Sequence, residues 1–204
     1  MSTLREALVN EIKDLYHAEK QLVRALPKLS KGAASAELKD ALDTHLEETE
    51  RQVTRLEEVF EHLDERVKAK NCPGMAGIIE EGSEILSEDF DKMAMDAAII
   101  AAAQRAEHYE IAAYGTAAAW AEALGMSDVH DLLMQTLDEE KAADRKLSAL
   151  AEQGINAAAT SGDDEDGEEE QEEDKSPSSS RSASRPMSGR SNNGGRRTAS
   201  GKRR

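Results

Sequence analysis

Apolar residues recur at helical spacing along four long segments of the chain. In each segment they fall three or four positions apart, which is the spacing of one face of an α-helix. The first segment opens with a capping box, Thr3–Glu6, and its helix is predicted to run to about Ala25 and to stop at Pro27. The second helix is predicted to begin after Ser35, acting as N-cap, and to reach roughly Val67.

The second half of the chain contains another pair of long helical segments. Cys72-Pro73-Gly74 breaks the chain, and a short apolar helix is predicted to follow it. A long alanine-rich helix is predicted over 91–123, and a last helix over about 127–153, with Ser127 as its N-cap. Two helical hairpins joined by a short crossover helix form an all-α four-helix bundle.

A faint internal repeat supports the two-hairpin arrangement. Shifting the chain by 91 residues places Glu19 on Glu110 and Glu48 on Glu139, with no gap across either hairpin. The first helix of each hairpin therefore carries a glutamate at the same inward position. This pattern predicts two hairpins related by pseudo-two-fold symmetry.

The bundle is predicted to span residues 1–154, and residues 155–204 are predicted to be a disordered tail because they lack apolar periodicity. Residues 163–174 hold 10 acids and no base, whereas residues 175–204 hold 9 Lys or Arg and no acid. The 32 acids and 17 bases of residues 1–162 make nonspecific nucleic-acid binding through the bundle unfavourable. The basic end of the tail either contacts nucleic acid or pairs with the acidic run as a solubilising segment.

Cysteine content and hydropathy predict a cytoplasmic protein. The lone Cys72 cannot form an intrachain disulfide, which is typical of a reducing compartment. The first residues are charged and amphipathic and lack the core of a signal peptide. No apolar run approaches the ~20 residues that cross a bilayer, so no membrane partner is predicted.

Carboxylates interrupt the apolar faces at positions where a packed bundle would place leucine. Buried carboxylates are costly, so a converging group of them requires a cation, shared protons or water. Acids on the inner faces of a helical bundle are typical of a carboxylate-bridged metal site. The candidate metal ligands, distributed over all four long helices, are Glu19, His45, Glu48, Glu107, Glu110, Glu139, Glu140 and Asp144.

Several of these candidates also fit a plainer interpretation. His45 fits equally well as a core histidine, and Glu48 lies toward the flank of its stripe, where water would solvate it. On the last helix the internal repeat favours Glu139, whereas the apolar stripe favours Glu140. Asp144 is either a ligand or a group that bonds to one.

Two further groups share helix faces with the inward glutamates. Tyr16 and Tyr114 are predicted to be core tyrosines whose hydroxyls bond a carboxylate. Gln52 stands one turn beyond Glu48 and is either an outer ligand or a neighbour of the ligands.

Strings in all four long helices resemble the YciE/YciF-type ferritin-like stress proteins. The resemblance covers about residues 4–153 and implies a ferritin-like fold, a homodimer, and a di-iron site like that of rubrerythrin. The strings are DLYHAEKQLVRALPKL (14–29), THLEETERQVTRLEEVF (44–60), DAAIIAAAQRAEHYEIAAYGT (96–116) and TLDEEKAADRKL (136–147).

The chain departs from the usual ligand motif at two positions. Ferritin-like di-iron sites typically carry Glu-x-x-His on the second and fourth helices. Here Arg51 and Ala143 follow Glu48 and Glu140 at that spacing. His45, one turn before Glu48, could replace one of the missing histidines, and Asp144, one turn after Glu140, could replace the other. Such an oxygen-rich site favours Fe or Mn over Zn, and it is also compatible with a degenerate site.

Two functions of different classes follow from these features. The first is a stress-response protein with two Fe, or Mn, ions per chain, which reduces peroxide or oxygen or oxidises Fe(II). The second is a non-enzymatic stress scaffold with a degenerate metal site, whose tail contacts nucleic acid. Metal content separates the two, because only the first requires bound, redox-active ions.

Overall fold

The computed structural model describes residues 3–165, and these residues form a helical bundle. Residues 166–204, which hold most of the predicted tail and its nucleic-acid contact, lie outside the described residues. The helices are α1 (Leu4–Gly32), α2 (Ala36–His62), α3 (Pro73–Ile85), α4 (Lys92–Ala123), α5 (Ser127–Leu150) and α6 (Asn156–Glu165). The predicted all-α fold, with a crossover helix between two hairpins, is confirmed.

The four long helices form a closed ring of neighbours. Helix α1 packs against α2 and α4, and α5 packs against the same two helices from the other side. The crossover helix α3 lies on α1 and α4. Each long helix therefore directs one face toward a shared interior, where side chains from all four meet. None of the helices within residues 3–165 is long and apolar enough to cross a membrane.

Two apolar clusters fill the interior, one toward each end of the bundle. The first includes Leu8, Ile12, Phe60 and Leu133, and the second includes Leu22, Leu38, Ile99 and Leu147. Along each helix the two clusters are separated by buried polar residues. A polar belt, defined here as Glu19, His45, Thr49, Gln52, Glu107, Glu110 and Glu140, thus crosses the middle of the bundle.

The observed ends of the first two helices differ from the predicted ones. Helix α1 continues through Pro27 to Gly32, since one missing amide hydrogen bond is offset by the packing of its last turns. Helix α2 ends at His62 rather than near Val67. There Asp64 adopts a left-handed φ of 52°, and the Glu65 amide donates to the Phe60 carbonyl in a Schellman arrangement.

The last predicted helix also extends further than expected. Met126, not Ser127, occupies the N-cap of α5 and makes no side-chain capping bond. After Leu150 the chain passes through a π-helical turn, Ala151–Ile155, and continues as α6 to Glu165. Gly154 lies in this turn with an extended φ of 176°, so the predicted boundary at residue 154 marks a kink rather than the last helical residue.

A buried aspartate from α4 fastens the turn between α1 and α2. Asp96 is 1% exposed, and its two carboxylate oxygens accept the backbone N–H groups of Ala34 at 2.6 Å and Ser35 at 2.8 Å. Hydrogen bonds to a charged acceptor are stronger than neutral ones. Asp96 therefore ties the first hairpin to the second.

Replacing Asp96 with alanine should destabilise the bundle by roughly 2 kcal/mol, because two backbone donors lose a charged acceptor. Urea unfolding at neutral pH, followed by circular dichroism, measures this change. The exposed Asp89 offers a matched control, and Asp89→Ala should leave the midpoint unchanged. Equal midpoints for the two variants would show that Asp96 does not brace the turn.

Candidate metal centre

The polar belt brings one or two potential ligands from each long helix to the same depth. Glu19 comes from α1, His45 from α2, Glu107 and Glu110 from α4, and Glu140 from α5, and each is at most 5% exposed. Ligand atoms of His45, Glu107, Glu110 and Glu140 all lie within 4.8 Å of one another. These four therefore form a compact donor set of three carboxylates and one imidazole.

Several oxygens in this belt have no hydrogen-bond partner among the described residues. Glu110 lacks a donor for either oxygen, and Glu19, Glu107 and Glu140 each lack one for Oε2. Buried polar atoms are nearly always paired, so a group of unpartnered carboxylate oxygens facing one another is unusual. Lone pairs that converge in this way are what a hard or borderline divalent cation requires, and the donor set fits Fe or Mn.

His45 is surrounded by acids from three helices. Its Nε2 lies 3.2 Å from Glu107 Oε1 and 3.9 Å from Glu140 Oε2, and its Nδ1 lies 3.8 Å from Glu48 Oε2. Burial lowers the pKa of His45, but the negative charges of these glutamates outweigh burial and raise the pKa well above its ordinary value. The surrounding acids therefore favour the protonated imidazole in the metal-free protein, whereas a histidine that binds a metal must be neutral.

The carboxylates respond to burial in the opposite direction. Desolvation raises the pKa of Glu19 to about 7, although the Tyr114 hydrogen bond and the charge of His45 oppose the increase. Desolvation and the neighbouring carboxylates raise the pKa values of Glu110 and Glu140 well above their ordinary range. The metal-free belt therefore retains protons near neutral pH, and a bound cation would displace them.

Neighbouring side chains fix the orientation of two of these carboxylates. The Tyr114 hydroxyl donates to Glu19 Oε1, and Gln52 Nε2 donates to Glu140 Oε1 at 2.5 Å. In both cases the second oxygen remains without a partner and faces the belt. The predicted tyrosine–carboxylate bonds are both present, since Tyr16 donates to Glu57 at 2.7 Å.

Four of the eight predicted ligands lie outside the compact set, and of these Glu19 is still buried in the polar belt. The Glu139 carboxylate is bound by both terminal nitrogens of Arg55 at 2.8 Å and also accepts from Gln52 Nε2 at 3.1 Å, so both of its oxygens have partners. Asp144 accepts from Gln104 at 3.0 Å, near the opposite flank of α5. Glu48 remains at the edge, with a side chain 29% exposed and close to His45.

The Arg55–Glu139 pair is a feature that sequence reasoning missed. Arg55 is buried, and it also donates to Thr136 Oγ1 at 2.6 Å. A signal was present, because Arg55 falls on the same face as Gln52, Leu56 and Val59, where a lone arginine requires an acid. This pair explains why the apolar stripe, and not the internal repeat, identifies the inward glutamate of α5.

Comparison with known proteins agrees with this architecture. Residues 3–160 match the family described as a domain of unknown function, DUF892. The chain is 44% identical to Protein YciF of Escherichia coli strain K12 over 160 residues, which cover 78% of this chain and 96% of that protein.

Solved structures give the same picture. The crystal structure of the E. coli stress protein YciF matches with a TM-score of 0.74 at 44% identity, over 76% of this chain and 99% of that one. YcfI of Rhodopseudomonas palustris, described as a candidate structural protein, matches with a TM-score of 0.71 at 46% identity, over 72% and 94%. A Xanthomonas campestris protein at 23% identity, with a TM-score of 0.62 over 79% and 99%, shares the fold.

Proposed function

This chain belongs to the DUF892 family and is a close relative of the stress protein YciF, and from that premise we propose that it is a carboxylate-bridged di-metal protein of the stress response. The observation that carries the proposal is the set of unpartnered, buried carboxylate oxygens around His45. Fe is the preferred metal, and Mn is the alternative, because the donors are mostly carboxylate oxygens.

The ligands we assign come from all four long helices. Glu107, Glu110, Glu140 and His45 form the centre of the site, with Glu19 supplying a further carboxylate from α1. Each divalent ion of this type takes about five or six donors, so two ions would need more donor atoms than these five residues provide, and further ligands would complete the set. Glu48 lies beside His45 at the edge and is an additional donor. Glu139 and Asp144 are not assigned as ligands, because Glu139 pairs with Arg55 and Asp144 accepts from Gln104.

When bound by these residues, a pair of Fe or Mn ions would supply two electrons to peroxide or oxygen, or would oxidise added Fe(II) with oxygen or peroxide as the electron acceptor. The protein's contribution is to hold and protect the site. Tyr114 keeps its proton, because burial and the charge of Glu19 raise the pKa of Tyr114 well above its ordinary value. It therefore donates to Glu19 throughout, as Gln52 does to Glu140, and both carboxylates keep a fixed direction.

The alternative is a scaffold that never binds metal. The raised pKa values of His45, Glu19, Glu110 and Glu140 fit it, because protonation of these groups lowers the net charge of the belt without a cation. A relative of similar identity, YcfI, is described as a candidate structural protein. Under this alternative the surfaces that contact partners lie outside the polar belt.

We also propose that the protein is a cytoplasmic homodimer. The family resemblance supports the dimer, and a buried, unpaired Cys72 supports a reducing compartment. Gel filtration with light scattering measures the dimer directly. Nucleic-acid contact through residues 175–204 belongs to the scaffold alternative, and a gel shift lost on deleting these residues would support it.

Turnover by metal-loaded protein tests the enzymatic proposal. Wild-type protein loaded with Fe(II) or Mn(II) should consume hydrogen peroxide or oxidise added Fe(II), and Glu110→Gln should fall to the background of free metal. Glu122 is exposed on the same helix, and Glu122→Gln should match wild type. Bound metal without any of these reactions would overturn the enzymatic proposal, and failure to bind metal would favour the scaffold.

A further inference from the structure

A cleft opens between α2 and α5 beside the candidate metal centre. Its volume is about 200 Å³, and its walls include Ala41, Leu42, Ala142, Ala143 and Leu147. His45 and Glu107, which are 5% and 1% exposed, also line it. The cleft therefore reaches the candidate ligands from the surface, whereas the apolar clusters cover the belt toward both ends of the bundle.

Small side chains on α5 create this space. Ala143 stands three residues after Glu140, where the Glu-x-x-His motif would place an imidazole on the metal. Ala142 and Ala143 both line the cleft and contribute only a methyl group each. The position that a second histidine would fill is therefore open to a molecule from outside.

The inner wall offers unpartnered polar atoms to such a molecule. Glu107 Oε2 and both ring nitrogens of His45 make no hydrogen bond among the described residues. The outer wall carries charges of both signs, Glu48 and Lys146, together with the exposed Thr44. A mouth of mixed charge and a narrow alanine-lined passage fit a small neutral or singly charged donor.

We propose that this cleft is the binding position for a small exogenous oxygen or nitrogen donor on the ion held by His45 and Glu107. Ala143 is the residue that keeps this position open. The inference deepens the proposed function and rests on it, since an ion must be present. The cleft between α2 and α5 is then the route by which a ligand of the size of peroxide reaches that ion.

Titration of Co(II)-loaded protein with azide and with imidazole tests the inference through the visible spectrum. Both probes should change the wild-type spectrum saturably. Ala143→Leu should bind the same amount of Co(II) but respond to each probe at least about tenfold more weakly. Ala112 is exposed on α4 and absent from the cleft, so Ala112→Leu should behave as wild type.

A second variant keeps the test independent of any packing defect caused by leucine. Ala143→His should load with Co(II), display in the absence of added probe the spectrum of imidazole-treated wild type, and no longer respond to imidazole. Loaded wild type that ignores both probes, or Ala143→Leu that responds as wild type does, would overturn the inference and leave the di-metal proposal standing. Absence of Co(II) in wild type would overturn both.

Discussion

Glu110→Gln should stabilise the metal-free protein and abolish its stabilisation by metal. Glu110 is 1% exposed, neither of its oxygens has a partner among the described residues, and Glu19, Glu140 and Glu107 all raise its pKa. Glu110 must either take up a proton or remain charged when it is buried, whereas a neutral amide of the same shape does neither, so the metal-free variant should gain about 1–2 kcal/mol at neutral pH. Wild type should gain roughly 2.7 kcal/mol per site when the free ion is a hundredfold above Kd.

Thermal unfolding measured with and without Fe(II) or Mn(II) gives both effects. Wild type should show a lower midpoint than Glu110→Gln without metal and a higher one with metal, so the order of the two proteins reverses. Glu122→Gln, an exposed change on the same helix, should follow wild type under both conditions. A variant that is destabilised without metal and still stabilised by it would contradict the assignment of Glu110.

The metal-free protein should lose stability as the pH rises from 5 to 8. A group whose pKa is raised by folding contributes stability that is present below its unfolded pKa and is lost as the pH passes through the folded value. Glu19 titrates near 7 in the fold against 4.5 unfolded, which corresponds to roughly 3 kcal/mol across that range. The raised pKa values of Glu110, Glu140 and His45 act in the same direction.

Metal should reverse this dependence, because ligands must lose their protons to bind it. The increase in midpoint on adding Fe(II) or Mn(II) should therefore be larger at pH 8 than at pH 5. Urea unfolding of the metal-free protein across this range measures the slope, and Glu110→Gln should flatten it while Glu122→Gln should not. A metal-free protein whose stability is constant or rises from pH 5 to 8 would contradict the raised carboxylate pKa values.

The division of the interior explains how the bundle tolerates such a belt. Apolar clusters at both ends, anchored by residues such as Phe60 and Ile99, provide the burial that holds the four helices together. The packing of these two apolar clusters, and not contacts among the polar residues, therefore holds the polar belt in place. A site of this kind lowers the free energy of unfolding of the metal-free protein, but its ligands are already aligned for a metal ion.

Helical periodicity was sufficient to find most of the belt. Glu19, Glu107, Glu110 and Glu140 each interrupt an apolar stripe, and each is buried in the structure. The same reasoning identified Tyr114, since a tyrosine in a stripe needs a partner for its hydroxyl. Their role as metal ligands remains a prediction, because burial and convergence are properties of the fold and not of a bound ion.

What the sequence could not resolve were choices between neighbouring residues and between helices. Glu139 and Glu140 differ by one helical step, and the internal repeat and the apolar stripe favour different ones. The pairing of Glu139 with Arg55 on another helix shows that Glu140 is the inward residue. The brace from Asp96 to the first hairpin is likewise a contact between distant segments. The end of α2 depends on Asp64 adopting a left-handed conformation that aspartate favours only weakly.

The most direct test of the account is metal content per chain, measured by plasma mass spectrometry after loading with Fe(II) or Mn(II). Wild type and Glu122→Gln should each retain close to two ions, while Glu19→Gln and Glu110→Gln should lose most of them. Circular dichroism would verify that all four proteins remain helical. Wild type without metal, or Glu110→Gln with as much metal as wild type, would contradict the central claim that the polar belt is a di-metal site.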